Sequence, residues 1–183
     1  MYESGYGVPK DVQQALRWYR QAAAQDYSWA EARVGYAYFT GEGVPQDREA
    51  AFAWYAAAAK EGLPDAEAML GYMYLNGFGV NQDPSAAFGW YRKSAEQQDV
   101  VAFFGLGDMY VNGVGVPKDH AVAADWYRKA ADKGYAPAEY DVGMMYVKGD
   151  GVPKDVKTAA IWLKKAAEHG DTRAKQALEQ MRP

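Results

Sequence analysis

Residues 66–95 read AEAMLGYMYLNGFGVNQDPSAAFGWYRKSA, and this stretch decides the fold because the chain repeats its pattern every 36 residues. The first glycine of its central turn recurs without insertion or deletion, as Gly5, Gly41, Gly77, Gly113 and Gly149. A tryptophan keeps the same step, as Trp18, Trp54, Trp90, Trp126 and Trp162. Self-similarity at a fixed period of this length is typical of helical repeat arrays. The sequence therefore predicts tandem repeats in one register.

Each repeat is predicted to contain two helices joined by the glycine turn. The second helix begins after an aspartate such as Asp83, whose carboxylate can accept the free amide hydrogens of the first turn. Pro84 follows at the first helical position, where its missing donor is harmless. In the copy nearest the N-terminus, Ala15, Trp18 and Ala22 share one face of this helix. We interpret the tryptophans as core rather than as an aromatic cage, because a core must repeat whereas a binding site varies.

The first helix of each repeat carries an interior glycine, at Gly35, Gly71, Gly107 and Gly143. Such a glycine costs about 1 kcal/mol relative to alanine. Its return at one position predicts a helix crossing too tight for a Cβ, where a neighbouring helix or a tyrosine ring presses on the backbone. The turn glycines follow a helix and lack a Gly-Lys-Ser/Thr sequence, so a structural role is favoured over phosphate binding.

The combined pattern Ala-x-x-x-Leu-Gly-x-x-Tyr, Gly-x-Gly-Val-x-x-Asp and Ala-x-x-Trp-Tyr-x-x-Ala-Ala resembles the Sel1-like repeat (SLR), a relative of the tetratricopeptide repeat (TPR). The resemblance covers essentially the whole chain. It implies an all-α fold, a right-handed α/α solenoid (superhelix) of 36-residue helix-turn-helix repeats, in which the first helices line the concave side. Families of this kind resemble adaptor scaffolds, common in bacteria. The penicillin binding described for cysteine-rich members is not carried over, because this chain has no cysteine.

The pattern predicts a single repeat domain over residues 1–183, with about five repeats of which the first is incomplete. Residues 171–183 are expected to form a C-terminal capping helix. Leu178 keeps its place in the pattern, whereas Glu179 replaces the repeated glycine and Arg182 the tyrosine. Such polar replacements are typical of a terminal helix on which nothing stacks.

The N-terminus looks like an open end. Met1 and Tyr2 align with the end of a first helix whose body is absent. An apolar surface is therefore expected around Leu16, Trp18 and Tyr19. Upstream sequence or a second copy of the chain would cover it, so self-association through this end is a further expectation.

Composition excludes several classes of function. The net charge of −4 gives no general attraction to nucleic acid or to anionic membranes. The chain has no cysteine and no apolar run of membrane-spanning length. Its first residues do not resemble a signal peptide, and both the bacterial cytoplasm and the periplasm remain open as compartments.

No cofactor, metal site or catalytic residue is predicted. His120 and His169 lie in different repeats, without an acidic or histidine partner at metal-ligand spacing. Glu31, Glu67 and Glu139 recur at one helical position. They could form an acid–base ladder or a cation site, but decoration of the repeat beside its core is the favoured interpretation.

One stripe of the first helices, at steps i, i+4, i+7 and i+11, does not repeat, which is typical of a binding surface. We predict that it binds a protein or peptide partner in the concave groove that the resemblance implies; the alternative is ordinary variable surface. The predicted groove residues are Trp29, Arg33, Tyr36, Asp65, Met69, Tyr72, Asn76, Asp108, Asn112, Asp141, Met144 and Lys148. Large side chains concentrate in the N-terminal half, where most binding energy is expected.

These observations favour a non-enzymatic scaffold or adaptor for protein–protein interaction. The main alternative, which also comes from the resemblance, is an inhibitor or immunity protein that neutralises a secreted bacterial effector toxin. A cell-wall-directed hydrolase is the third hypothesis. The lack of cysteine, of paired histidines and of a nucleophile motif disfavours it.

Overall fold

The computed structural model describes Gly7, Pro9 and residues 11–181, and the structural statements below concern these residues. They form ten α-helices and no strand, which confirms the predicted all-helical class. No helix among them is both long and apolar enough to cross a membrane. The predictions for Gly5, for Met1 and Tyr2, and for Arg182 lie outside the described residues.

The helices fall into two compact units, Met1–Gln97 and Gln98–Pro183. The first unit contains α1 (Val12–Ala23), α2 (Ser28–Thr40), α3 (Arg48–Lys60), α4 (Pro64–Asn76) and α5 (Pro84–Glu96). The second unit contains α6 (Val100–Asn112), α7 (His120–Ala131), α8 (Ala136–Lys148), α9 (Val156–Glu168) and α10 (Thr172–Gln180). Within each unit, every helix packs against the next one along the chain.

Aspartate caps begin the second helices of the repeats, as predicted. The Asp83 carboxylate accepts hydrogen bonds from the amides of Ser85 and Ala86, both at 3.0 Å, and Pro84 lies in the first turn. The other capping residues are Asp11, Asp47, Asp119 and Asp155. The first helices end at left-handed glycines, Gly41, Gly77, Gly113 and Gly149. Each glycine permits the sharp exit from the helix that leads to the next cap.

The interior glycines of the first helices lie beneath side chains of the following helix, which confirms the predicted tight crossing. The pairs are Gly35 with Tyr55, Gly71 with Tyr91, Gly107 with Tyr127 and Gly143 with Leu163. A Cβ on Gly71 would lie 2.8 Å from the Cδ1 atom of Tyr91, well inside the optimal separation of two carbon atoms. The missing side chain therefore sets how closely the two helices approach.

The interpretation of the tryptophans as core is wrong for Trp18 and only partly right for the others. Trp18 is 54% exposed, whereas Trp54 and Trp90 are partly buried and pack against the edges of core clusters. The ring inside the core belongs to the next residue, Tyr55 or Tyr91, each only 3% exposed. One residue along a helix turns the side chain by about 100°. The tyrosine therefore faces the glycine of the neighbouring helix, and the indole of the preceding residue packs at the outside of the core cluster.

The apolar surface expected on α1 is smaller than predicted. Leu16 is only 3% exposed, because it belongs to a buried cluster with Ala30 and Val34 of α2. Tyr19 is partly buried and packs against the same cluster. Trp18 is the member of the expected surface that remains exposed. The expectation fails for Leu16 because α2 covers that face of α1.

Candidate partner-binding surface

The N-terminal half of the predicted stripe contains an exposed aromatic patch on α2. Trp29 is 57% exposed and stands edge-on to Tyr19 of α1, with ring centroids 5.4 Å apart. The Arg33 guanidinium lies over two rings, 5.7 Å from the centroid of Tyr19 and 5.1 Å from that of Tyr36. Tyr36 is 41% exposed. We call Tyr19, Trp29, Arg33 and Tyr36 the α2 patch.

The buried phenol of Tyr55 is influenced electrostatically by stripe residues of both α2 and α4. The pKa of the Tyr55 hydroxyl is raised, first by burial, then by Tyr36 and Asp65, while the positive charge of Arg33 opposes the rise. Asp65 itself is exposed at the start of α4. Tyr55 therefore stays neutral near pH 7, and three stripe residues from two helices act on its pKa.

A second aromatic patch lies at the end of α4. Tyr72 is 39% exposed, and its ring centroid lies 6.2 Å from that of Phe39 and 5.6 Å from that of Phe78. The Asn76 side-chain amide donates a 2.8 Å hydrogen bond to the Tyr72 carbonyl oxygen. Met69 is partly buried and packs against the core of the first unit. We call Phe39, Tyr72 and Phe78 the α4 patch.

The stripe residues of the second unit lie on α6 and α8 and are more polar. The Tyr127 hydroxyl donates a 2.7 Å hydrogen bond to Asp108, whose carbonyl oxygen accepts a 2.9 Å bond from the Asn112 amide. Burial raises the pKa of Asp108. Burial also raises the pKa of Asp141 to about 6; the positive charge of Arg173 opposes this shift, and the negative charge of Asp108 adds to it.

The remaining stripe residues of the second unit add little exposed apolar surface. Met144 is partly buried and packs against the core cluster of Leu163, and Lys148 is exposed. The large apolar side chains exposed among the described residues of this unit are Val101, Val156 and Ile161. None is aromatic, so the single predicted stripe consists of two chemically different surfaces.

Sequence reasoning did not assign three rings of the patches to the stripe, Tyr19, Phe39 and Phe78. It expected Tyr19 only in the apolar surface of the N-terminal end. Phe39 corresponds to Leu75 of the next repeat, and Phe78 corresponds to Glu42 of the preceding one. Both positions therefore vary between repeats. A search over every non-repeating position of the first helix, rather than one stripe, would have found Phe39, and a search that included the turn would have found Phe78.

The recurring glutamates are buried at the starts of first helices, and their exposed fractions are 7% for Glu31, 0% for Glu67 and 1% for Glu139. Glu67 lies 2.9 Å from the Lys93 ammonium and accepts a 2.8 Å hydrogen bond from the Gln97 amide. Glu139 lies 2.8 Å from Nδ1 of His169. These contacts join the start of one helix to the end of the next.

The two histidines therefore have acidic partners that the sequence search did not find. His169 pairs with Glu139, and His120 pairs with Asp150. Each partner stands 30 residues away, outside the short spacings that indicate a metal site. Among the described residues, no three histidine or acidic side chains are grouped so that they could hold a metal ion.

Comparisons with known proteins show the same repeat. A family model described as the Sel1 repeat matches residues 1–27, 30–63, 64–99, 101–135 and 136–171. A Sel1 repeat protein from Oxalobacter formigenes is 36% identical, with a TM-score of 0.93 over 99% of this chain and 74% of that one. A comparison with curated proteins found no match.

Two further solved structures that resemble this chain belong to longer proteins. A protective antigen of uropathogenic Escherichia coli, displaying an SLR fold, is 36% identical, with a TM-score of 0.84 over 94% of this chain. This chain spans only 37% of that antigen. An immunity protein from Pseudomonas aeruginosa is 21% identical, with a TM-score of 0.66 over 91% of this chain and 62% of that one, and the likeness shows the fold alone.

Proposed function

Because this chain belongs to the Sel1 repeat family, we propose that it is a protein-interaction scaffold whose α2 and α4 patches bind a protein or peptide partner. One observation carries the proposal: three large aromatic side chains of the stripe lie outside the buried core and are exposed to solvent. The exposed fractions are 57% for Trp29, 41% for Tyr36 and 39% for Tyr72. The solenoid repeats of this family supply extended surfaces of stacked helices, which suit such binding.

The chemistry of the two patches favours binding of an apolar segment. Aromatic residues and arginine dominate interface hot spots, because they bury a large area with little loss of rotamer entropy. Contacts with Tyr19 and Tyr36 hold Arg33 in place before any partner arrives. A side chain that is already ordered loses less entropy on binding.

The charge distribution favours a partner with basic residues beside its apolar segment. Residues 1–91 contain 6 lysines and arginines against 11 aspartates and glutamates, whereas the remainder contains 14 against 13. The excess of negative charge is therefore in the part of the chain that holds the aromatic patches. Association with a basic partner should slow as the salt concentration rises.

The test begins with affinity purification from the native host and mass spectrometry, followed by titration calorimetry with the partner so identified. Trp29→Ala combined with Tyr72→Ala should weaken binding at least about tenfold, a loss of about 1.4 kcal/mol. Trp18→Ala is the matched control, because this tryptophan is 54% exposed on α1, outside the stripe. Loss of binding in the control with an unaffected double variant would place the partner on the second helices instead.

A narrower candidate is an inhibitor or immunity protein that neutralises a secreted toxin. The likeness to an immunity protein from Pseudomonas aeruginosa favours it, through the fold alone. The test is genetic: a toxin encoded beside this chain should kill cells that lack the chain and spare cells that express it. Absence of such a neighbour, or killing despite expression, would remove this candidate and leave the general scaffold proposal intact.

A further inference from the structure

A lysine over a tryptophan ring recurs on the second helices. The distances from ammonium to ring centroid are 5.2 Å for Lys93 and Trp90, 3.8 Å for Lys129 and Trp126, and 4.3 Å for Lys165 and Trp162. Each lysine follows its tryptophan by three residues, so the two share a helix face. In the repeat that contains Trp54, the same position is Ala57.

The repeat around Lys93 shows what this ammonium does. It lies 2.9 Å from Glu67, a fully buried carboxylate, and it also lies over the face of Trp90. A cation held by both a carboxylate and an indole face is stabilised by charge and by the ring quadrupole together. Gln97 completes the site with a hydrogen bond to the second carboxylate oxygen.

In the second unit, the glutamate is either replaced or paired with a histidine side chain. Phe103 replaces the glutamate in one repeat, where its ring centroid lies 5.9 Å from that of Trp126 and the Lys129 ammonium lies over both rings. In the other repeat, Glu139 pairs with His169. The contact between positions 103 and 126 also shows that the glutamate position lies beside the tryptophan of the next helix.

Glu31 is the equivalent of Glu67 in the preceding repeat, but the lysine that pairs with Glu67 is replaced there by Ala57. It is 7% exposed, and its Oε2 atom is buried with no hydrogen-bond partner. Glu61 stands where the paired repeat has Gln97. The pKa of Glu31 is raised, first by burial and then by Asp26 and Glu61; Lys60 opposes this, but among the described residues it forms no ion pair with Glu31.

We propose that Glu31 and Trp54 form a receptor site for a primary ammonium group, the lysine side chain of a protein partner, in the repeat where Ala57 replaces the lysine. Lys93 on Glu67 and Trp90 is the internal template for this occupant. A metal ion is disfavoured, because the described residues contain no group of three acidic or histidine side chains that could hold one. The assignment of the ammonium to a partner rests on the proposed scaffold function.

The first experiment supplies the missing cation from within the chain. Ala57→Lys should raise the melting temperature by about 2–4 °C, and the rise should vanish in the Glu31→Gln background. Ala53→Lys is the matched control, because it is exposed on the same helix and gains a glutamate, Glu49, four residues away, as Ala57→Lys gains Glu61. Equal rises for the two lysine variants, or a rise that survives Glu31→Gln, would overturn the site.

The second experiment adds the cation from outside. Titration with n-butylammonium, followed by the Trp54 indole resonance in ¹H–¹⁵N spectra, should give a saturable shift. The shift should be absent in Glu31→Gln and in Ala57→Lys, and n-butanol should not produce it. A shift of equal size in Glu31→Gln, or one that calcium chloride reproduces at lower concentration, would contradict an ammonium site.

A third measurement connects the site to the partner. Ala57→Lys should weaken partner binding at least about fivefold, roughly 1 kcal/mol, because the internal lysine competes with the partner's lysine. Unchanged partner binding together with saturable butylammonium binding would overturn the assignment to a partner. The first two experiments need no partner, so their failure is distinct from failure of the scaffold function, which the Trp29 and Tyr72 variants test.

Discussion

At one position of the first helices, the first unit exposes Tyr36 and Tyr72, whereas the second unit has Asp108 and Met144. Both units keep the glycine crossings, with a tyrosine over three of the glycines and Leu163 over Gly143. In the second unit, Asp108 turns inward and accepts the Tyr127 hydroxyl. The comparison shows that the repeated residues determine the helix packing, whereas the residues of the stripe can vary without changing that packing. The stripe exposes aromatic rings in the first unit, whereas in the second unit it includes a carboxylate bonded to Tyr127.

The largest effect should come from the crossing residues that the two units share. Tyr91→Ala in the first unit and Tyr127→Ala in the second should each lower the free energy of unfolding by about 3–5 kcal/mol. Trp90→Ala should cost less, about 1–2 kcal/mol, because the indole is only partly buried. Urea unfolding monitored by circular dichroism measures all three. A larger loss of unfolding free energy for Trp90→Ala than for Tyr91→Ala would show that the tryptophan is the main core residue after all.

The glycines should give the next largest effect, again in both units. Gly71→Ala and Gly143→Ala should each cost about 1–3 kcal/mol, because a Cβ would overlap Tyr91 or Leu163. Gly89→Ala is the matched control: it lies inside α5 with no atom within 4 Å of its added Cβ. That variant should gain about 0.5–1 kcal/mol of helix propensity. A stabilised Gly71→Ala would show that the crossing has room for a side chain.

The smallest expected effect is a pH dependence of stability that comes from the second unit, through Asp141. The pKa of Asp141 is about 6 in the folded chain, above its ordinary value of 3.8. The folded state therefore binds the proton more tightly, and stability should fall as the pH rises from about 4 to 6, by about 1–2 kcal/mol. Asp141→Asn should flatten this slope in thermal melts across that range. A slope that persists unchanged in Asp141→Asn would assign the effect to other groups, such as Glu31, whose pKa is also raised.

Most of the fold could be predicted from the sequence because its determinants are local. The aspartate caps, the glycine stops and the interior glycines each depend on a few neighbouring residues, and those within the described part of the chain lie where the period placed them. The choice between Trp90 and Tyr91 as the buried ring was wrong. Both recur with the same step, and periodicity cannot distinguish two adjacent residues on one helix.

The candidate site was less predictable because its contacts join different helices. Glu67 and Gln97 are 30 residues apart, as are Glu139 and His169. Sequence patterns along one helix do not reveal such pairs. The stripe on the first helices remains a prediction of a binding surface, and the structure adds which of its residues are exposed rings and which are buried carboxylates.

The spacing of the stabilising contacts has a consequence for how such chains change length during evolution. The crossing of Gly71 by Tyr91 spans 20 residues, and the pairing of Glu139 with His169 spans 30, both shorter than one repeat of 36. Duplication or deletion of one full period therefore returns every such group to the equivalent position opposite a neighbouring helix. Recombination between repeats can lengthen or shorten the array without inventing a new interface, while each new copy is free to acquire its own surface residues.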